Sequence, residues 1–296
     1  MMAVADPERR GQLLVAAAAV AWSTAGPVHR AVGAPAPTQA AIRAGAAALA
    51  LTAYLLVRRR GATVAAFRSV GRAGIGVAIC VAVASSSFIL ALGSTSVAHV
   101  LLFQAIAPFL AALFAWLLMR ERVLARTWIA MATALAGVVM MVGGSLGGGG
   151  LRGDLLSLLM STAFAGVLVI TRRHREISMT PATALGMLIS FVALAPFAHP
   201  GVLSPLDWTM LAALGAGQIG LGMILFTAGA RLIAAAQAGL ITLLEVVLGP
   251  LWMWLIYREQ PDGLTLAGGT VILAAVLAHA VADLRPAALA VRADAS

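Results

Sequence analysis

Lysine is absent from this chain of 296 residues. The lysine of a Walker A loop, which reaches the β- and γ-phosphates of a nucleotide, is therefore excluded, and ATP-driven pumping would need a separate subunit. Cysteine is almost absent. Cys80 is the only one and sits in an apolar run, which excludes an intrachain disulfide and any cysteine-based metal site. Charge is scarce too, at 10% of residues against 61% hydrophobic. A soluble domain is about a quarter charged, so this chain has less than half the polar coat it would need in water. Its apolar excess must face a lipid bilayer. A water-soluble enzyme and a nucleic-acid-binding protein are excluded by composition alone.

What is present is a series of long apolar runs. A hydrocarbon core about 30 Å thick needs roughly 20 apolar residues per helix, and ten runs qualify: 12–32, 37–57, 73–93, 96–119, 126–143, 153–171, 181–198, 208–229, 233–257 and 263–282. They are continuous and Ala/Leu-rich rather than alternating, which argues for helices over barrel strands. The first run follows Arg9 and Arg10 and so looks like a signal peptide, but nine further spans follow and it is expected to stay. The chain carries 20 basic against 11 acidic side chains, a net charge of +9, and all the basic ones are arginine. With both termini cytoplasmic, sixteen arginines fall in inner segments and three, Arg30, Arg152 and Arg258, in outer ones. Arg43 lies within span two. That bias orients the chain with its termini inside, and anionic inner-leaflet lipid is the natural counter-charge. Trp128 and Trp208 fit interfacial anchors.

The runs repeat. Residues 88–121 lie on 226–259 at an offset of 138 without a gap, so that Phe88 meets Phe226, His99 meets Gln237, Trp116 meets Trp254 and Arg120-Glu121 meets Arg258-Glu259. Upstream, Trp22 and Arg30 meet Phe164 and Arg172 at an offset of 142. Each unit holds five spans, an odd number, so the second is inserted upside down relative to the first. The expected organisation is one five-helix repeat over 1–146 and another over 147–296, joined by the glycine-rich Gly143 to Gly150. Inverted repeats of this kind mark secondary transporters, with the site near the midplane where the halves meet.

The sequence resembles the drug/metabolite transporter superfamily, in particular its EamA-type branch of ten helices in two inverted five-helix repeats. The likeness rests on Trp22-Ser23, Arg43, Pro108 and Arg120-Glu121 in the first half. In the second it rests on Ser161 to Phe164, Glu245 and Arg258-Glu259. Two departures are Pro250, four positions beyond the point matching Pro108, and Phe164, where a tryptophan is common. The resemblance implies transport of metabolites, amino acids or drugs, often outward, through a central cavity lined by both halves.

Glu245 is the most informative single residue. It sits near the middle of span nine among Leu243, Leu244, Val246 and Val247. An acid at that depth costs about 2.5–3.5 kcal/mol and marks a functional position by default. Its expected role is proton coupling or anchoring of a substrate ammonium group; the bland alternative is a structural pair with Arg43 or a bond to a neighbouring helix. Arg43 either snorkels to the interface or grips a carboxylate bidentately, and a site with both charges would suit an amino acid. Gln104, Gln218, Trp22, Ser23, Ser161 and Phe164 complete the candidate substrate-binding set. The small hydroxyl residues serve equally as close helix contacts. Pro108 and Pro250 are the expected helix-break positions.

The remaining features are discounted. The histidines, His29 among them, are scattered without ligand spacing, so no metal and no cofactor is expected. Glu121 and Glu259 read as caps at the starts of spans five and ten. The dinucleotide-like Gly215-Ala-Gly217-Gln-Ile-Gly220 falls inside span eight, where small residues suit helix packing. The elbow-like Gly143-Gly-Ser145-Leu-Gly147 lies in the linker, without a sheet. The expected protein is a secondary active transporter of small organic solutes such as amino acids, an exporter working by alternating access and coupled to protons through Glu245. The alternatives are multidrug or cation efflux, facilitated transport, an intramembrane enzyme and a scaffold. An enzyme would need a second buried acid or a nucleophile–base pair, and a scaffold would need no cavity. Small-residue faces serve contacts within or between protomers, so the sequence sets no oligomeric state.

Overall fold

In hydrocarbon every unbonded backbone group costs several kcal/mol, and a helix satisfies all of them within one segment. The Ala- and Leu-rich runs are also the best helix formers. A computed structural model of the chain describes residues 7–59, 61–143 and 150–293, and these residues contain helices but no strand. Ten helical segments are long and apolar enough to cross a membrane: Pro7–Ala31, Ala36–Arg58, Gly71–Leu92, His99–Met119, Ala125–Val142, Leu151–Arg173, Thr180–Phe197, Pro205–Ala230, Ala235–Tyr257 and Gly263–Ala282. The chain is thus an all-α, multi-pass membrane protein. Span one begins earlier than expected, at Pro7, which takes Glu8, Arg9 and Arg10 into its helix. Arg60 and most of the glycine-rich connection, residues 144–149 with the elbow-like motif, lie outside the described residues.

Ten crossings put the start of span one and the end of span ten on one face, called here the terminal face; the other is the far face. The main packings come in pairs that interchange when the halves are exchanged. Span three packs on span six as span eight packs on span one, and span seven packs on span three as span two packs on span eight. Span two on span seven and span five on span ten map onto themselves. The dominant contacts therefore run between the halves rather than within them, and the two five-helix repeats interlock around a shared centre.

Four of the spans are broken or bulged within their length. Span four is two pieces, Val97–Gln104 and Ala107–Met119, and span nine is two pieces at the matching offset, Ala235–Thr242 and Leu244–Tyr257. Both second pieces end on an arginine in left-handed backbone, Arg120 at φ 56° and Arg258 at φ 60°, the only non-glycine residues with positive φ among those described. Such a backbone costs about 1–2 kcal/mol for a residue with a Cβ. Its recurrence at equivalent positions marks a shared turn rather than an accident. Span one breaks between Pro7–Trp22 and Ala25–Ala31. Span eight carries a π-helical stretch, Leu214–Leu221, the kind of bulge that clusters at functional positions. This stretch contains the dinucleotide-like glycines. A Cβ at Gly215 would lie 2.4 Å from the carbonyl oxygen of Arg43, so the glycine lets span eight lie directly on the span-two backbone.

The breaks bear on two readings of the sequence. Pro108 stands directly after the break in span four, between Gln104 and Ala107. It occupies the first turn of Ala107–Met119, where its missing N–H would be unbonded in any helix. Pro250 does not make the break in span nine. That break falls at Leu243, and Pro250 lies inside the helix that follows.

Candidate functional site

The break at Leu243 determines where Glu245 stands. It is not at mid-helix but in the first turn of Leu244–Tyr257, directly after a tight turn in which the Leu243 N–H donates to the Leu240 oxygen and the Val246 N–H to the Leu243 oxygen. The first half has alanine, Ala107, at the equivalent place, so only one of the two breaks carries an acid. Glu245 is half-buried and lines a cavity of about 1050 Å³ at the centre of the bundle. The carboxylate accepts no hydrogen bond and forms no ion pair with the described residues.

Arg43, on span two, lines the same cavity and is only 2% exposed. Its Nη2 donates to the Ser85 carbonyl oxygen at 3.2 Å and to Ser85 Oγ at 3.0 Å, while Nε and Nη1 have no partner among the described residues. The guanidinium carbon lies 6.0 Å from the Phe88 ring centre, the outer limit of a useful cation–π contact. Arg43 does not snorkel to the interface, and it does not pair with Glu245. The site thus combines a buried cation and a carboxylate, neither neutralised by the other.

Around this pair the structure assembles the remaining candidate binding residues. Trp22, Ser23, Gln104, Ser161, Phe164 and Gln218 all line the cavity, as does Pro250; Pro108 does not and packs instead against Gly239. Several of them satisfy carbonyls at helix breaks. Gln218 Nε2 donates to the Trp22 oxygen at 3.0 Å, and Ser161 Oγ donates to the Phe103 oxygen at 2.7 Å. Ser23 Oγ donates back to the Val20 oxygen and accepts from Trp252 Nε1 at 2.8 Å. Half of each interaction is thereby fixed, while Gln218 Oε1 and Trp22 Nε1 stay unpartnered.

Two cavity residues escaped the sequence reading. His29 Nδ1 and Gln39 Oε1 are 2.7 Å apart on the cavity wall, and Gln39 Nε2 donates to the Val32 and Ala34 oxygens. The signal for Gln39 was its spacing, one helical turn before Arg43 on the same face. His29 had no sequence neighbour to mark it, because span one meets span two only after folding. Ser85 is the anchor of Arg43, and Ser86 Oγ bonds Ser190 Oγ at 2.7 Å across to span seven.

The cavity opens on the far face, past Gly33, Gly93 and Pro261. Asp262 at its mouth accepts from the Thr265 backbone N–H at 2.7 Å. The Thr265 hydroxyl and N–H hold its carboxyl below the usual aspartate range. Towards the terminal face the cavity ends on three aromatic rings. Trp22 and Phe164 are 5.7 Å apart edge to face, and fully buried Phe226 lies 5.0 and 5.3 Å from them. Beyond the rings, spans one and eight close tightly, since a Cβ on Gly229 would lie 2.7 Å from the Gly11 oxygen. Access is therefore from one face only. The centre is not packed solid, as a pure scaffold would have it. Among the described residues no three His, Cys, Asp or Glu side chains cluster as metal ligands.

Glu121 and Glu259 are not the caps they were expected to be. Span five starts at Ala125 with no side-chain cap, and Asp262 rather than Glu259 caps span ten. Each glutamate instead reaches an arginine of the opposite half: Glu259 contacts Arg30, and Glu121 lies 3.9 Å from Arg172.

Comparison with known proteins agrees with this architecture. The model of the EamA-like transporter family matches residues 9–143 and again 151–280. The pseudopaline exporter CntI of Pseudomonas aeruginosa strain UCBPP-PA14 is 23% identical over 286 residues, covering 93% of this chain and 97% of its own. The same exporter from strain ATCC 15692 matches equally, at 23% over 286 residues with the same shares of both chains. A crystal structure of a protein with 19% identity superposes at a TM-score of 0.79, over 94% of this chain and 99% of its own, and shows that the fold recurs. With both halves matched and a solute-sized cavity between them, this chain belongs to the EamA-like transporter family.

Proposed function

We infer that this protein is a secondary active exporter of amino acids or related small metabolites, working by alternating access between two inverted repeats divided at about residues 146 and 147. The observation that carries the reading is a buried guanidinium and a carboxyl group that line one cavity without pairing with each other, Arg43 and Glu245. A solute carboxylate supplies an acceptor for one of the two unpartnered donors, Arg43 Nε or Nη1, through a single charge-assisted bond, since Nη2 is already held by Ser85. Glu245 takes up the solute's ammonium group or, when that group is absent, a proton. The cavity walls are otherwise largely apolar, as ligand sites usually are, with a few convergent polar groups. The relatives' description as pseudopaline exporters supports outward movement.

The arginine excess on the terminal face supports reading that face as cytoplasmic, in a plasma (inner) membrane; on that reading the large cavity opens outward. A purely cationic drug is the weaker fit, because Arg43 sits unneutralised in the same chamber. The test is a counterflow screen of labelled amino acids, nucleosides and cationic drugs in proteoliposomes, repeated across an imposed pH gradient. Amino-acid exchange that is stimulated by the gradient, and loses that stimulation in Glu245→Gln, is the expected result. Gradient-driven flux undiminished in Glu245→Gln would overturn the coupling role. Exchange confined to cations would overturn the substrate class.

A further inference from the structure

On the terminal face lies a second, smaller cavity of about 240 Å³. Its lining is the mouth of the large cavity, transposed by the repeat. Glu259, Pro261 and Thr265 at the large mouth fall on Glu121, Val123 and Thr127 in the small one at the offset of 138, and Val97 falls on Ala235. At the other offset, Arg30 of the large mouth falls on Arg172 of the small one. Equivalent side chains differ in state. Phe88 lines the open chamber, whereas its counterpart Phe226 is fully buried against Trp22 and Phe164. The same set of residues thus appears twice in one molecule, once open and once collapsed.

The ion pairs that cross between the halves follow the same rule. At the open mouth Arg30 and Glu259 are in direct contact, each side chain 49% exposed, and Arg30 also lies over the Tyr257 ring at 4.9 Å. At the collapsed one Arg172 and Glu121 stand 3.9 Å apart, 23% and 28% exposed. Arg172 Nη1 there turns partly to the Arg231 oxygen at 3.3 Å. In each case a left-handed arginine immediately precedes the glutamate and directs it towards the other half.

We propose that the small cavity is the second mouth of the solute path in its closed form, and that the Arg30–Glu259 and Arg172–Glu121 pairs exchange geometries when the protein turns over. Two halves of one fold that hold different conformations define a second state by swapping them. In that state the terminal mouth opens, Arg172 and Glu121 close to direct contact, and Arg30 and Glu259 draw apart. Each pair therefore favours opening on its own face. This rests on the alternating-access reading above, but not on the solute or on proton coupling.

The test is thiol reactivity in purified protein without any solute. In a Cys80→Ser background, Ala84→Cys reports access to the large chamber and Ala235→Cys access to the small one. Glu259→Gln should slow maleimide labelling at position 84 and speed it at position 235, by about two- to fivefold as expected for an exposed pair. Glu121→Gln should do the opposite. Shifts of the same sign in the two variants, or none in either, would overturn the proposal. If a glutamine variant fails to fold, salt serves instead. Screening weakens the half-exposed Arg30–Glu259 pair more than the partly buried one, so rising ionic strength should move labelling from position 84 towards 235; unchanged rates would refute it. Reciprocal labelling in a protein that moves no amino acid would overturn the solute reading and leave this one standing.

Discussion

Replacing Arg43 with methionine separates a binding residue from a structural one, because the two roles predict opposite effects on stability. An unpaired buried cation carries a desolvation penalty of several kcal/mol. Its Nε and Nη1 donors lack protein partners, at about 1–3 kcal/mol each. Against this stand two hydrogen bonds from Nη2 to Ser85, each about 1.5–3 kcal/mol because the donor is charged. The Phe88 contact at 6.0 Å adds about 0.5 kcal/mol. The balance favours an apolar side chain of similar volume by roughly 1–4 kcal/mol, within the range seen when buried ions are replaced by hydrophobic residues. Arg43→Met should therefore melt several degrees above the native protein in the empty state, read by intrinsic tryptophan fluorescence in detergent. The same variant should lose exchange of carboxylate-bearing solutes by about ten- to a hundredfold, the loss of one charge-assisted bond. A melting point lowered by several degrees, with counterflow intact, would show that Arg43 holds the fold and binds nothing.

Three further outcomes follow from the same geometry. Gly229→Val puts side-chain atoms where a Cβ already meets the Gly11 oxygen at 2.7 Å, so spans one and eight cannot close; labelling of the large chamber should fall relative to native protein in a maleimide accessibility assay. Ser161→Ala removes the donor to the Phe103 oxygen at the span-four break; it should lower thermal stability by about 1 kcal/mol and leave the affinity for an amino acid in direct binding measurements within about threefold. Gln218→Leu strips the amide from the Trp22 oxygen. It should cost about 1–3 kcal/mol as an unsatisfied buried carbonyl and weaken binding as well, since Trp22 shapes the chamber floor; a change in stability with unaltered affinity would remove Gln218 from the site.

The repeat offsets, the ten spans and the acid in span nine were legible because each is local in sequence: a length, a composition, a residue out of place. Which polar groups share a chamber was partly legible. Arg43, Gln218, Trp22 and Glu245 could each be marked as exceptions in apolar helices, and folding brings all of them to one cavity. His29 could not be marked, since its partner Gln39 comes from another helix. Glu121 and Glu259 were misread for a related reason. Their position suggested a helix start, but a left-handed arginine just before each turns the glutamate to the other half. Pro250 misled in turn, because a proline shows in the sequence whereas the break at Leu243 has no residue signature of its own.

Composition and periodicity by themselves determined that the chain lives in lipid, crosses ten times and contains one five-helix design twice, because desolvation of backbone and charge acts on each segment separately. Which charges remain without a partner, which face is open, and which equivalent residues are splayed or collapsed were decided only by the tertiary structure. Those properties belong to contacts between halves, and two copies of one helix order take up different contacts when packed head to tail.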